Sequence, residues 1–204
     1  MDNGVQSGME AAPALDFDAQ LMLRVKDGDD DSFRLLLEKH RLPVMRFVYR
    51  MVQDQSISEE LGQEVFLRIY RSRANYEPAA KFTTWMFRIA SHLALNWLRD
   101  GRNERERSFS LDSRSDGAPV REFPGTGFSV EEEMVRRIRL DEIRQAIADL
   151  PDKQRAAVLM HKYEEMEYSQ IAGALGCSES AVKSLLFRAY ETLRARLAHL
   201  AGQK

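Results

Sequence analysis

The sequence predicts an all-α protein made of two small helical domains on a flexible tether, and three observations carry that expectation. Apolar residues recur at three- and four-residue spacing through most of the chain, with no strand-like alternation and no internal repeat. Glycine and proline are few, 11 and 6 in 204 residues, so long helices go uninterrupted. Between Gly101 and Gly127 the texture changes to "GRNERERSFSLDSRSDGAPVREFPGTG", whose Gly, Ser, Pro and mixed charge mark a linker.

Taken in order, residues 1–14 are small and polar with no helical period, which predicts a disordered tail. The first domain is expected over 15–100. From Asp16 the pattern "LMLRVKDG" predicts a first helix, and Asp31 or Ser32 restarts a second through Phe33, Leu36 and Leu37 toward Val44. A third is expected from about Ser58, capped by Ser56 or Ser58, with Glu59 and Glu60 in its positive first turn. After a turn at "RANYEPAA", a long helix starts near Phe82 and carries Trp85, Ile89, Leu93 and Trp97. The linker is placed at 101–129 and the second domain at 130–204, where Met134, Ile138, Ile143, Ile147 and Leu150 lead to a break at Pro151. How the two domains sit against each other is not readable across such a tether.

Charge narrows the function. The chain carries a net charge of −2, yet residues 1–31 hold eight acids and two bases, a balance of 2 − 8 = −6, which leaves +4 on the rest. From Lys183 onward, five bases face Glu191 alone, so positive charge sits where a DNA-facing helix needs it. The longest apolar runs, "FLRIY" and "AAVLM", fall far short of a bilayer span, and the amino terminus lacks a signal-peptide pattern, so no membrane insertion and a cytoplasmic location are expected. Cys177 stands alone and reads as a small turn residue. The four histidines are scattered, no phosphate loop or nucleophile motif is present, and Glu164, Glu165 and Glu167 read as a solvated loop. Neither an enzyme nor any metal or cofactor is expected.

Two constellations remain. In "IAGALGCSESAVKSLLFRAY", a spacing of about 100° per residue puts Val182, Leu185, Leu186, Ala189 and Leu193 on one stripe. Ser180, Lys183, Ser184, Phe187 and Arg188 fall on the other. With Ala172 at the crossing and Gly176 in the turn, this is the spacing of a helix-turn-helix, in which Lys183 and Arg188 can meet phosphates or guanine edges. Lys153 and Arg155, just after Pro151, are expected to serve the adjacent DNA backbone. Upstream, residues 71–107 interleave Tyr76, Phe82, Trp85, Phe87 and Trp97 with eight bases, a pattern suited to stacking single-stranded bases. The four-residue stripe of Trp85 to Trp97 argues for core, so the loop "RANYEPAAKF" is the better holder of an extruded base.

Together the blocks "LMLRVKDGDDDSF", "SEELGQEVFLRIYRS", "FTTWMFRIASHLALNWLR" and "LPDKQRAAVLMHKYEEMEYSQIAGALGCSESAVKSLLFRAYETLRARL" resemble the bacterial extracytoplasmic-function (ECF) sigma factors. The first three look like sigma region 2, a helical bundle, and the last like region 4. The resemblance implies a subunit that binds core RNA polymerase at its β′ clamp and β flap, reads promoter DNA, and is held by an anti-sigma factor. It implies docking through Glu60, Gln63, Glu64 and Phe66. It also implies minus-ten recognition through Asn75, Tyr76, Lys81, Phe82, Arg88 and His92, and minus-thirty-five recognition by the helix from Glu179. Two positions depart from the family's pattern: His92 stands where Asn is usual, and Gly62 replaces a branched apolar residue inside a helix, at a cost of about 1 kcal/mol relative to Ala. The competing reading is a dimeric helix-turn-helix regulator with a helical sensor domain, which leaves "QEVFLRIY" and "FTTWMFRIA" without a role.

Overall fold

The computed structural model describes residues 16–107 and 130–201, so the expected tail and the expected linker from residue 108 onward lie outside the described residues. Helix α1 spans Phe17–Lys26, α2 Asp30–Val52, α3 Gln55–Arg71 and α4 Phe82–Arg107, with a 3-10 turn at Arg73–Asn75 before α4. After the undescribed segment come α5 (Val130–Ala148), α6 (Asp152–Tyr163), α7 (Tyr168–Leu175), α8 (Glu179–Arg196) and a short α9 (Ala198–Ala201). No strand occurs among the described residues.

Side-chain caps set the starts of the first helices. Asp16 Oδ1 accepts from Ala19 N–H at 2.7 Å, and Asp29 accepts from Asp31 and Ser32. Helix α3 begins earlier than its serines suggest, because Asp54 takes the Ile57 N–H at 2.9 Å and Ser58 turns its hydroxyl back to the Gln55 carbonyl. Helix α2 likewise runs beyond Val44, straight through Pro43, to Val52. An internal proline costs about 3 kcal/mol; Phe47, Val48 and Met51 beyond it are all buried, and their burial at roughly 25 cal/mol per Å² of apolar surface offsets that cost. Helix α4 continues through Gly101 to Arg107, past the expected boundary, since Arg and Glu sustain a helix well.

Helices α1 to α4 pack as a bundle whose core includes Met22, Leu36, Phe47, Ile69, Phe82 and Met86, with Phe47 edge-on to Phe87 at 5.3 Å. Gly62 has a specific reason to be there. A Cβ on it would lie 2.2 Å from Met45 Sδ, so the missing side chain lets α2 and α3 close on each other. In the second unit α6, α7 and α8 bury Val158, Leu159, Ile171, Val182 and Leu186.

The two units are packed together. Helix α7 lies on α4, where a Cβ on Gly173 would touch Thr84 Cγ2 at 3.2 Å and Ser91 Oγ donates to the Ala174 carbonyl at 3.4 Å. Arg102 pairs with Asp152, and the Arg50 guanidinium sits 4.0 Å over the Tyr163 ring. Arg155, expected on the DNA backbone, is instead 9% exposed and bonded to the carbonyls of Met51 and Leu150. The cause is general: the last carbonyls of α2 have no partner within their own helix, and a cation is favoured at that negative end. Glu164 also departs from expectation. Rather than lying in a solvated loop, it is tucked near Arg50 and Arg46, and burial pushes its pKa up to about 7. Glu167 closes a capping box with Gln170 at the start of α7.

Candidate nucleic-acid and polymerase interfaces

The helix-turn-helix forms as its spacing demands. Gly176 ends α7 with φ 62°, a left-handed conformation that costs glycine nothing, and its N–H returns to the Ala172 carbonyl. Ser178 then caps α8 through the Ala181 N–H at 3.2 Å. Val182, Leu186 and Ala189 are buried, whereas Ser180, Lys183, Ser184, Phe187 and Arg188 are all exposed on the opposite side, Phe187 by 68%. His161 Nδ1 lies 2.9 Å from the Tyr190 hydroxyl, and its ring is tilted 5.5 Å from Tyr168, which ties α8 back to α6 and α7. Sequence reasoning missed this bond, since 29 residues separate its partners. Cys177 is half-buried in the turn, and Lys153 lines a cleft of about 370 Å³ beneath Ser180, Ser184 and Arg188.

The upstream constellation is sorted differently. Asn75, Lys81, Arg88 and His92 are exposed, and the last two, four residues apart, share a face of α4. Tyr76 and Phe82, expected to meet nucleic acid, are instead core residues at 3% and 0% exposure. Their rings meet Trp85 at 5.0 and 6.0 Å, and Phe82 also meets His40 at 5.4 Å. Burial pushes the Tyr76 hydroxyl up to about 12, and its oxygen has no hydrogen-bond partner among the described residues. The aromatics therefore form a buried support, and the exposed surface is polar and basic.

A third surface lies between α2 and α3. A groove of about 870 Å³ is lined by Phe33, Leu37, Met45, Gln63, Phe66, Leu67 and others, an apolar trough with a polar lip. Gln63 is exposed at this groove, while Phe66 is buried at 6% exposure and lines the trough rather than projecting from it. Glu60 is exposed, and Glu64 is half-buried and bonded to Arg68 at 2.7 Å. Among the described residues, no group of three or more His, Cys, Asp or Glu is arranged to hold a metal, and no helix is long and apolar enough to cross a membrane.

Two family models match this chain. Residues 36–104 match the family model "Sigma-70 region 2", and residues 140–193 match "Sigma-70, region 4". The RNA polymerase sigma-H factor of Pseudomonas aeruginosa is 32% identical over 182 residues, covering 86% of this chain and 91% of the relative. The ECF RNA polymerase sigma factor SigW of Bacillus subtilis is 27% identical over 181 residues, covering 87% and 95%. Among solved structures, the sigma factor RpoE of Bartonella quintana, in complex with the anti-sigma factor NepR, superposes with a TM-score of 0.65 at 20% identity, over 81% of this chain and 96% of that one.

Proposed function

The chain belongs to the ECF sigma factors, which direct RNA polymerase to promoters, and we propose that it does so with three separate surfaces. The α2–α3 groove and its lip, with Gln63 and Glu60, take the β′ clamp of core polymerase. Asn75, Lys81, Arg88 and His92 meet the opened minus-ten strand, with Tyr76, Phe82 and Trp85 as the rigid support beneath. Ser180, Lys183, Ser184, Phe187 and Arg188 enter the major groove at the minus-thirty-five element. The supporting observation is that two exposed polar and basic faces stand on two different units, above one core that runs through both.

The division of labour between these faces follows from their chemistry. On α8, Lys183 and Arg188 supply phosphate attraction and donors for guanine edges, and Phe187 offers an apolar surface for a thymine methyl. On α4, a strand already parted from its partner exposes Watson–Crick edges, which Asn75 and His92 can bond while Lys81 and Arg88 hold its phosphates. Phosphodiester chemistry belongs to the polymerase, and this chain acts as a non-enzymatic subunit in the cytoplasm.

Serving both elements at once requires the two units to part. Elements centred roughly 25 base pairs apart lie about 85 Å apart at 3.4 Å per base pair. A compact body of this length has a radius of gyration of only about 17 Å. The packed units are too compact to cover that distance, so the chain spans the gap only once α7 leaves α4. The packed arrangement is then a resting form, and an anti-sigma factor that binds it keeps the chain from polymerase.

Equilibrium binding to core polymerase tests the docking surface. Gln63→Ala combined with Leu67→Ala, both exposed at the groove, is expected to weaken binding about tenfold at unchanged helical content. Unchanged affinity would remove the groove from this reading.

A further inference from the structure

The loop from Tyr76 to Phe82 is pinned at its two ends by the buried Tyr76 and Phe82 rings, and the chain between them is mostly exposed. Its internal backbone bond, Ala79 N–H to the Glu77 carbonyl at 2.9 Å, does not tie it to the bundle. The backbone at both of its ends is also tied to one helix far away in sequence. At one end, Lys26 Nζ, in the last turn of α1, donates to the Tyr76 carbonyl at 3.1 Å. At the other, the Asp16 carboxylate at the start of α1 accepts the Phe82 N–H through Oδ2 at 3.2 Å, while its Oδ1 caps α1 itself. Phe82 opens α4, so its N–H is one of the donors that a helix start leaves without a partner, and a carboxylate there also meets the positive end of the helix.

Helix α1 is in turn anchored from behind. Asp18, 7% exposed, accepts from Lys39 Nζ at 2.7 and 2.8 Å and lies 2.9 Å from His40 Nε2, both on α2. Asp16 caps α1, Asp18 lies in its first turn and Lys26 in its last, while Ala19, Leu21, Met22 and Val25 fill the core. The polar residues at its two ends are thereby held in register with the two ends of the loop.

We propose that α1 is a strut that sets the span of the Tyr76–Phe82 loop, and that Lys26 and Asp16 are positioning residues for capture of the extruded base. The proposal rests on the assignment of this loop and α4 to the minus-ten strand. Neither residue touches the DNA in this scheme; each fixes a backbone atom on which the exposed Lys81 and its neighbours are mounted. A charged donor to a carbonyl is among the stronger hydrogen bonds, so losing it frees the loop appreciably.

Two readouts on the full-length chain separate the strut from the function assigned to the loop. Hydrogen exchange of the amides from Tyr76 to Phe82 reports the strut, and 2-aminopurine fluorescence in the minus-ten non-template strand, with core polymerase present, reports strand capture. Lys26→Met keeps the apolar stem and removes the donor, while Lys26→Arg keeps a donor. Lys26→Met is expected to speed exchange in the loop about tenfold and slow strand opening by a similar factor, with core affinity unchanged and Lys26→Arg restoring both. Unchanged loop exchange, or faster exchange throughout the bundle, would overturn the strut. Faster loop exchange with normal opening would leave the strut standing and overturn base capture by this loop. Because Asp16 also caps α1, Asp16→Ala is the weaker variant; its melting temperature must be matched by a second cap variant, Asp29→Ala, before any loss of opening counts for the strut.

Discussion

The helix-turn-helix and the Tyr76–Phe82 loop with the start of α4 carry similar residues, aromatics among bases, yet the fold exposes them in opposite ways. On α8, Phe187 stands out at 68% exposure beside Lys183 and Arg188. In the loop and α4, Phe82 is fully buried and Tyr76 nearly so. Helix α8 packs along one side only, so the 3.6-residue period alone decides which residues are free. The start of α4 is enclosed by α1, α2 and the returning loop, and there the tertiary contacts decide. An aromatic close to a basic residue is therefore a sign of a nucleic-acid surface only where one side of its helix is left open.

The widest separation between the two regions is expected from a matched pair of truncations. Phe82→Ala should cost about 3–5 kcal/mol in urea unfolding, as large core aromatics do, and should impair every activity of the chain. Phe187→Ala should change stability by no more than about 0.5 kcal/mol while weakening minus-thirty-five binding. A stable Phe82→Ala chain defective only in strand opening would place that ring on the DNA and erase the contrast.

Arg155 sharpens the comparison next. It lies at the join of the two units with its guanidinium on the Met51 and Leu150 carbonyls, so Arg155→Met should loosen the packed form by about 1–3 kcal/mol. Small-angle scattering should then show a larger radius of gyration for the free chain. Loss of duplex affinity without expansion would return Arg155 to the DNA backbone.

Much of the fold can be read in the sequence because most elements are decided locally. The cap at Asp16, the turn at Gly176 and the buried stripe of α8 each depend on residues within a few positions of one another. What escapes such reading depends on distant partners. The burial of Arg155 needs the end of α2, 104 residues away in sequence, and the bond from Asp16 to Phe82 spans 66. Gly62 looked like a weakness within one helix, but Met45 on α2 gives it a purpose. The exposed residues of α8 were accessible to periodicity; the sorting of the loop into exposed Asn75 and Lys81 and buried Tyr76 and Phe82 was not.

Gly62→Ala probes that helix contact with a smaller effect. Alanine gains about 1 kcal/mol of helix propensity, but its Cβ must push Met45 Sδ aside into the groove, so stability should change by less than about 1 kcal/mol. Core polymerase binding should fall more than stability does. If it is unchanged, the groove floor plays no part in docking.

The smallest effect is a pH slope at Glu164. Its folded-state pKa, pushed up to about 7 from 4.5 by burial, means the folded chain keeps a proton that the unfolded chain has released. Stability contributed there is full below about pH 4.5 and declines as the pH rises to about 7, remaining lower above. Because the group keeps a partly exposed edge, the total is expected to be under about 1 kcal/mol. Glu164→Gln should flatten this slope in urea titrations between pH 5 and pH 8, and an unchanged slope would assign it to another group.

Run-off transcription with core RNA polymerase on genomic promoter fragments tests the central claim most directly: two faces on two units jointly choose the promoter. The wild-type chain should give promoter-specific transcripts. Lys183→Ala/Arg188→Ala should abolish them on duplex promoters, with activity returning on templates already opened across the minus-ten element, where the α4 face can act alone. Equal transcription by wild type and variant on duplex promoters, or no promoter-specific transcript from the wild-type holoenzyme, would contradict the account.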